Sequence, residues 1–286
     1  MPSVIIDGIQ TEYKVVGSGP ALLMFAPGGF DATMDKWSTL GIYAKVKLLD
    51  HLPDQYTCIL FDRRETGNSG GRVERITWAD YAAQGKGLLD HLGYEAAHLL
   101  GGCMGCCPVA AFATAYPAKT LSMVQYWPVG GPGFRLNAHR RFAIHLAYVE
   151  EHGLEGVVSL AKSTTQGFGK DPRSGPWGPV IRSSAEFAAH YRNMGVAKYK
   201  LIIAGLSRTL FDRDTAPGAE PEDLMCLDIP TLIIPGRDAS HSVSAARYLE
   251  ECSPGAEYWE VLPENQTEQT APARILEFLN KIDRKA

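Results

Sequence analysis

Ala96-Ala97-His98-Leu99-Leu100-Gly101-Gly102-Cys103-Met104-Gly105-Cys106-Cys107-Pro108 is the stretch whose reading decides the fold. An apolar run, Ala96 to Leu100, leads into Gly-x-Cys-x-Gly, and a helix-like run from Pro108 to Tyr116 follows. Strand, sharp glycine turn and helix are the setting of a nucleophile elbow. Such a turn holds its central side chain in a strained conformation at the top of a cleft. Glycines flank it because side chains there would collide with the neighbouring strand and helix. The central side chain is a thiol, where serine is usual.

Outward from that turn the chain alternates between short apolar runs and helical patterns. Val4 to Val16 reads as a hairpin around Asp7-Gly8. Ala21 to Phe25 and Thr57 to Phe61 read as buried strands. Met34 to Asp50 has Trp37, Leu40, Tyr43 and Val46 at spacings of three, which predicts one helix. Thr77 to Leu92 predicts another, with Thr77 as its cap. Leu121 to Trp127 and Ile229 to Ile234 predict further strands, then a helix at Val243 to Glu251. A last strand is expected at Tyr258 to Leu262 and a last helix at Ala273 to Ile282. The order implies an α/β fold, a mostly parallel sheet with helices on both faces. Pro128 to Asp228 breaks the alternation and is too long for a simple loop. It reads as a helical cap, with helices at about 140–162 and 183–206 around the Gly- and Pro-rich segment 167–179. The expected division is a core of 1–127 and 229–286 and a cap insertion of 128–228.

Composition bounds the function. The 286 residues are 45% hydrophobic and 21% charged, an ordinary globular balance. The net charge of -4, with no basic block, speaks against nucleic acid and anionic membranes as partners. No apolar run approaches the roughly 18 residues that span a bilayer. Met1 to Asp7 lacks the pattern of a signal peptide, so a cytoplasmic location is expected. The six cysteines do not read as a disulfide framework. Cys103 and Cys106 form C-x-x-C, but a second ligand pair is missing. Neither metal nor cofactor is expected, and Cys106 and Cys107 read as small apolar residues on a helix.

Several motifs in order resemble those of the α/β-hydrolases over nearly the full length. Ala26-Pro27-Gly28-Gly29 lies where that family places its oxyanion loop. Asp62-Arg63-Arg64-Glu65-Thr66-Gly67-Asn68-Ser69 resembles D-x-R-G-x-G-x-S, with Glu65 in place of a glycine. Gly101 to Gly105 matches the elbow. Leu232-Ile233-Ile234-Pro235-Gly236-Arg237-Asp238 resembles the strand and G-x-D that supply the catalytic acid. The resemblance implies an α/β-hydrolase fold with an inserted helical cap. Cysteine at the elbow also occurs in the dienelactone-hydrolase branch. One departure is larger: the family's histidine follows the last strand, and from Val261 to Ala286 there is none.

The candidate site follows from these positions. Cys103 is the nucleophile, since a thiol beside an imidazole and a helix N-terminus ionises readily. His241 is the candidate base, three residues after Asp238 at the strand edge where open α/β sheets bind ligands. Asp238 would orient it. Backbone N–H groups of Met104 and of Gly29 or Phe30 would hold an oxyanion. Trp127, Arg64, His145 and Gln266 are candidate substrate contacts: an aromatic wall, a carboxylate-binding guanidinium, a cap histidine, and an amide near the missing histidine. The reaction expected is hydrolysis or acyl transfer on an ester, lactone or thioester of a small apolar or aromatic molecule. Lyase or isomerase chemistry on the same fold, or ligand binding without turnover, remain alternatives.

Overall fold

The computed structural model describes residues 1–284. The last two residues of the expected core, Lys285 and Ala286, lie outside the described residues. β1 (Ser3–Ile6) and β2 (Ile9–Val16) form the hairpin. Asp7 and Gly8 turn it, both at positive φ. β3 (Ala21–Phe25) is followed by α1 (Lys36–Thr39) and α2 (Gly41–Val46), then β4 (Thr57–Phe61), α3 (Trp78–Leu92), β5 (Ala97–Gly102), α4 (Cys106–Ala115) and β6 (Thr120–Tyr126). The eight strands of the sheet run in the order β1-β2-β4-β3-β5-β6-β7-β8, where β7 is Thr231–Ile234 and β8 Glu257–Tyr258. β2 is antiparallel to β4, and the strands from β4 onward are parallel. The chain leaves β3 for β4 on one side and returns to β5 on the other. The crevice over the ends of β3 and β5 therefore lies at the point where the strand order reverses, which is where such sheets bind ligands.

Alternate residues of the central strands supply two cores. Leu23, Phe25 and Leu99 pack with α3 and α4. Leu22, Met24 and Leu100 pack with α1, α2 and the last helix. With both faces covered, β3, β4 and β5 are buried at every position, so they read as continuous apolar runs rather than alternating ones. Thr77 caps α3 in a capping box with Asp80.

Between β6 and β7 lies a helical insertion: α5 (Pro132–Ser163), α6 (Gly178–Ser183), α7 (Ala185–Arg192) and α8 (Val196–Leu210), followed by α9 (Pro221–Met225). α10 (Val243–Cys252) and α11 (Thr270–Asp283) close the chain's order of elements. No helix among the described residues is long and apolar enough to cross a membrane.

Three expectations need correction. The helix at 34–50 is two short helices, because Leu40 is extended and Gly41 and Lys47 take positive φ. The helix at 183–206 is broken by the extended Ser184, whose hydroxyl caps Phe187 N–H, and again at Gly195. The strand at 258–262 shrinks to Glu257–Tyr258, because Val261 N–H turns back to the Trp259 carbonyl and Pro263 follows.

Candidate active site

Cys103 follows the last residue of β5 with φ of 52°, a left-handed conformation uncommon for a residue with a side chain. The flanking glycines make that turn possible. A Cβ on Gly101 would lie 2.5 Å from the Gly105 carbonyl, and one on Gly105 would lie 2.1 Å from the Phe25 carbonyl. The strand end, the elbow and the start of α4 are thus closer than side chains allow.

The residues expected as base and orienting acid share one turn. After β7, Asp238 and His241 exchange backbone hydrogen bonds of 3.3 Å. The Asp238 carboxylate accepts the N–H of Ser240 at 2.8 Å and of His241 at 3.0 Å. Its two oxygens lie 2.9 and 3.0 Å from His241 Nδ1. That places Nδ1–H on the acid and leaves Nε2 as the reactive nitrogen. The turn is pinned to the end of β6: Gly130 N–H donates to the Ser240 carbonyl, and Ser242 N–H donates to Gly130. Gly236 lets the ring pack there, since a Cβ would lie 2.7 Å from His241 Cβ and 2.8 Å from the Trp127 ring.

His241 Nε2 is buried and makes no full hydrogen bond, yet Cys103 is close enough to govern its titration. The contact is one of charge, short of an aligned hydrogen bond, as is common before substrate binds. Burial alone would raise the Cys103 thiol. The nearby His241 ring and its charge, with backbone donors at Met104 and Gly28, outweigh it and lower the thiol below its ordinary range. Burial alone would lower His241; Cys103 first and Asp238 second raise it to about 9. Asp238 is likewise pushed up by burial but held below its ordinary value by His241 and the two turn N–H groups. The arrangement favours a thiolate–imidazolium pair. By contrast, burial drives the thiols of Cys58, Cys106 and Cys107 upward.

The elbow opens into a cavity of about 540 Å³. Its walls include Phe30, Phe142, Phe168 and Phe211, whose ring centroids lie 5.1 to 6.3 Å apart. Trp127, Asp238 and His241 also line it. A larger open hollow of about 720 Å³ lies among α3, α4, α8 and α9 but includes none of the elbow groups. The expected site residues Cys103, Asp238 and His241 line the smaller one.

Of the expected oxyanion donors, Met104 N–H faces the sulfur and Gly28 N–H is the second group to do so. The sequence places Gly28 in the expected oxyanion loop but assigns the donor N–H to Gly29 or Phe30. The φ of 122° at Gly28, and the 2.7 Å separation a Cβ would have from the Asp31 carbonyl, mark it as a position only glycine fills. Gly29 and Phe30 line the cavity, and neither backbone N–H donates to a protein group among the described residues. Both stay available to a ligand.

Three expected substrate contacts fall elsewhere. Arg64 is buried against Glu65 and Glu74, outside the cavity. Glu65 occupies the left-handed position of the motif's glycine, at φ of 69°, and its carboxylate accepts Arg64 Nε at 2.9 Å. His145 is 0% exposed inside the insertion, between the Tyr199 hydroxyl and the Arg173 carbonyl. Gln266 is 3% exposed and does not reach the cavity. Its Oε1 accepts Trp127 Nε1–H at 2.7 Å and its Nε2 donates to the Pro235 carbonyl at 2.8 Å. It braces the indole that lies 5.3 Å from the His241 ring. Among the described residues no group of His, Cys, Asp and Glu is arranged to hold a metal.

The chain has the α/β-hydrolase fold. The family described as alpha/beta hydrolase fold matches residues 21–125, which run from β3 into β6 and include the elbow. The dihydrolipoyllysine-residue acetyltransferase component of the acetoin cleaving system of Cupriavidus necator is 33% identical over 125 residues. That match takes in 44% of this chain and 31% of the relative, so the chain spans about a third of that protein's length. A hydrolase from Pseudomonas aeruginosa PA01 superposes with a TM-score of 0.63 at 19% identity, covering 97% of both chains. The enol-lactonase of Burkholderia xenovorans LB400 superposes with a TM-score of 0.63 at 16% identity, covering 98% of this chain and all of that one (100%). At these identities the two structures speak for a shared fold.

Proposed function

We propose that this chain is a cysteine-dependent hydrolase of esters, lactones or thioesters with a small, largely apolar acyl or alcohol part. The observation that carries the reading is the Cys103 thiol at a strained elbow, lowered by an imidazole that Asp238 holds by two short contacts. The Cys103 thiolate attacks the carbonyl carbon, and a C–S bond forms. The oxyanion is held by Met104 N–H and an N–H of the Gly28–Phe30 loop, each such donor contributing roughly 3–4 kcal/mol. As the C–O or C–S bond to the leaving group breaks, His241 Nε2 gives that group its proton. The acylated sulfur carries no charge, so His241 loses the partner that most raises it. The neutral ring then takes a proton from water, which attacks the thioester. Release of the acid restores the ion pair.

The base is present without the distal histidine because the 238–241 turn supplies it. The fold is shared with an enol-lactonase, which supports lactones among the substrates. The partial relative named as an acetyltransferase component supports a second reading, in which a thiol or alcohol replaces water as acyl acceptor.

Rapid mixing with 4-nitrophenyl acetate tests the proposal. A burst of nitrophenol and an acetyl adduct on the Cys103 peptide are expected. Cys103→Ala should lose both and lower kcat/KM by about 10³-fold or more. Turnover of this ester that survives Cys103→Ala would sink the reading, since hydrolysis would then proceed without the sulfur. Saturable binding without an adduct would favour a receptor.

A further inference from the structure

The charges lining the cavity do not cancel. Asp31 is matched by Lys36 at 3.4 Å. Asp238 and the Cys103 thiolate share the His241 imidazolium, which leaves one negative charge at the elbow. Arg141 and Lys170 also line the cavity, and neither joins an ion pair among the described residues. The lining therefore carries two uncommitted cations, both on exposed residues at the mouth.

Their positions are set by the wall itself. Arg141 precedes Phe142 on α5, and Lys170 follows Phe168 by two residues. Phe142 and Phe168 are both 3% exposed, lie tilted to each other with ring centroids 5.1 Å apart, and each pack edge-on against Phe30. The Lys170 backbone is closed into a turn by its N–H to the Gly167 carbonyl at 2.9 Å. Two anchored phenylalanines thus present two cations at the rim of an aromatic chamber whose floor is the thiol. Without them the lining would be net negative and would repel acids. With them it attracts an anion to the mouth.

We propose that the cavity selects substrates bearing an anionic oxygen group, a carboxylate or phosphate, seated between Arg141 and Lys170 while the carbonyl lies at Cys103. This names the substrate class of the hydrolase proposed above and rests on that reading.

The test compares three esters: neutral 4-nitrophenyl butyrate, 4-nitrophenyl hydrogen glutarate with its anion on the acyl side, and 3-carboxy-4-nitrophenyl butyrate with its anion on the leaving group. In Arg141→Gln/Lys170→Gln, the kcat/KM of at least one anionic ester relative to the neutral one should fall about fivefold, chiefly through KM. A ratio unchanged for both anionic esters overturns the proposal. If none of the esters is turned over, the hydrolase reading fails by itself. The rim is then read from alkylation of Cys103 by iodoacetate against iodoacetamide, located by peptide mass. A preference for iodoacetate that drops in the double variant supports the anion site, and an unchanged preference overturns it. Benzoate and phenyl phosphate as protectants against alkylation separate the two anions. Protection by either should weaken in the double variant, and equal protection by both in the two proteins counts against the site.

Discussion

Burial is the largest single influence on the Cys103 thiol, and it acts against ionisation. His241 reverses it. Removing the ring should therefore do more than return the thiol to its ordinary value near 8.5; with burial left unopposed it should climb past that value. The sign is set by the shifts. In the native protein the thiolate is present above the lowered thiol pKa, and the imidazolium is lost above about 9. Cys103 alkylation should thus have its acid limb lowered from the ordinary thiol range, and ester turnover should decline on the alkaline side near pH 9. In His241→Ala the alkylation limb moves above 8.5. A limb that stays in place would mean the imidazole does not set the thiol's charge. The sequence singles out Cys103, Asp238 and His241 because each sits next to a strand-end signal, and the three line one cavity. Arg64, His145 and Gln266 could not be placed, because sequence position gives the loop a side chain leaves from and not the partner it turns toward. The Tyr199 hydroxyl for His145, and the Trp127 indole for Gln266, lie on segments that only the fold brings together.

Elements, by contrast, followed the sequence wherever a continuous apolar run filled a central strand, as in β3, β4 and β5. They departed from it where a helical spacing ran across backbone breaks, as at Leu40 and Gly41. The three-residue spacing of Trp37, Leu40, Tyr43 and Val46 reports burial on one side, and two short helices satisfy it as well as one long one does. At the other end of the sheet, the loop before α11 carries an amide brace in the region where the family's histidine was sought. Gln266→Leu should leave the Trp127 indole N–H and the Pro235 carbonyl without partners, at a cost of about 1–3 kcal/mol for each buried group. Urea unfolding should show that loss. Because Trp127 backs His241, the Cys103 alkylation rate at pH 7 should fall with it. A stability loss with an unchanged rate would confine Gln266 to holding the sheet edge.

For the molecule as a whole, two buried histidines tie distant parts together, and both should weaken the fold in acid. His98 on β5 sits between the Ser122 hydroxyl at 2.8 Å and Asp283 of α11 at 3.0 Å. His145 locks the insertion's helices. Burial lowers both, His145 to about 4. Unfolded chains bind the missing protons below about pH 6.5, so stability is full above that pH and is lost as pH falls toward the folded values. A shift of that size at His145 corresponds to about 3 kcal/mol. The urea midpoint should fall between pH 6.5 and 4, and less steeply in His145→Gln. An equal slope in the variant would assign the acid sensitivity to His98 and the carboxylates. The fold class was legible because the alternation of runs fixes a layered α/β sheet. The cavity was not, because its walls come from α5, the 167–170 loop and the elbow, and their meeting depends on how the insertion folds back.

The one-turn placement of Asp238 and His241 also has a meaning along the chain as it is made. Every group proposed to react, from the Gly28 loop to the imidazole, precedes residue 242 in the order of synthesis. α10, β8 and α11 then emerge as scaffolding alone. A nick between 241 and 258 would part reagents from support, and a separately supplied peptide spanning 243–284 would need only to fit and to carry the Gln266 amide that braces Trp127.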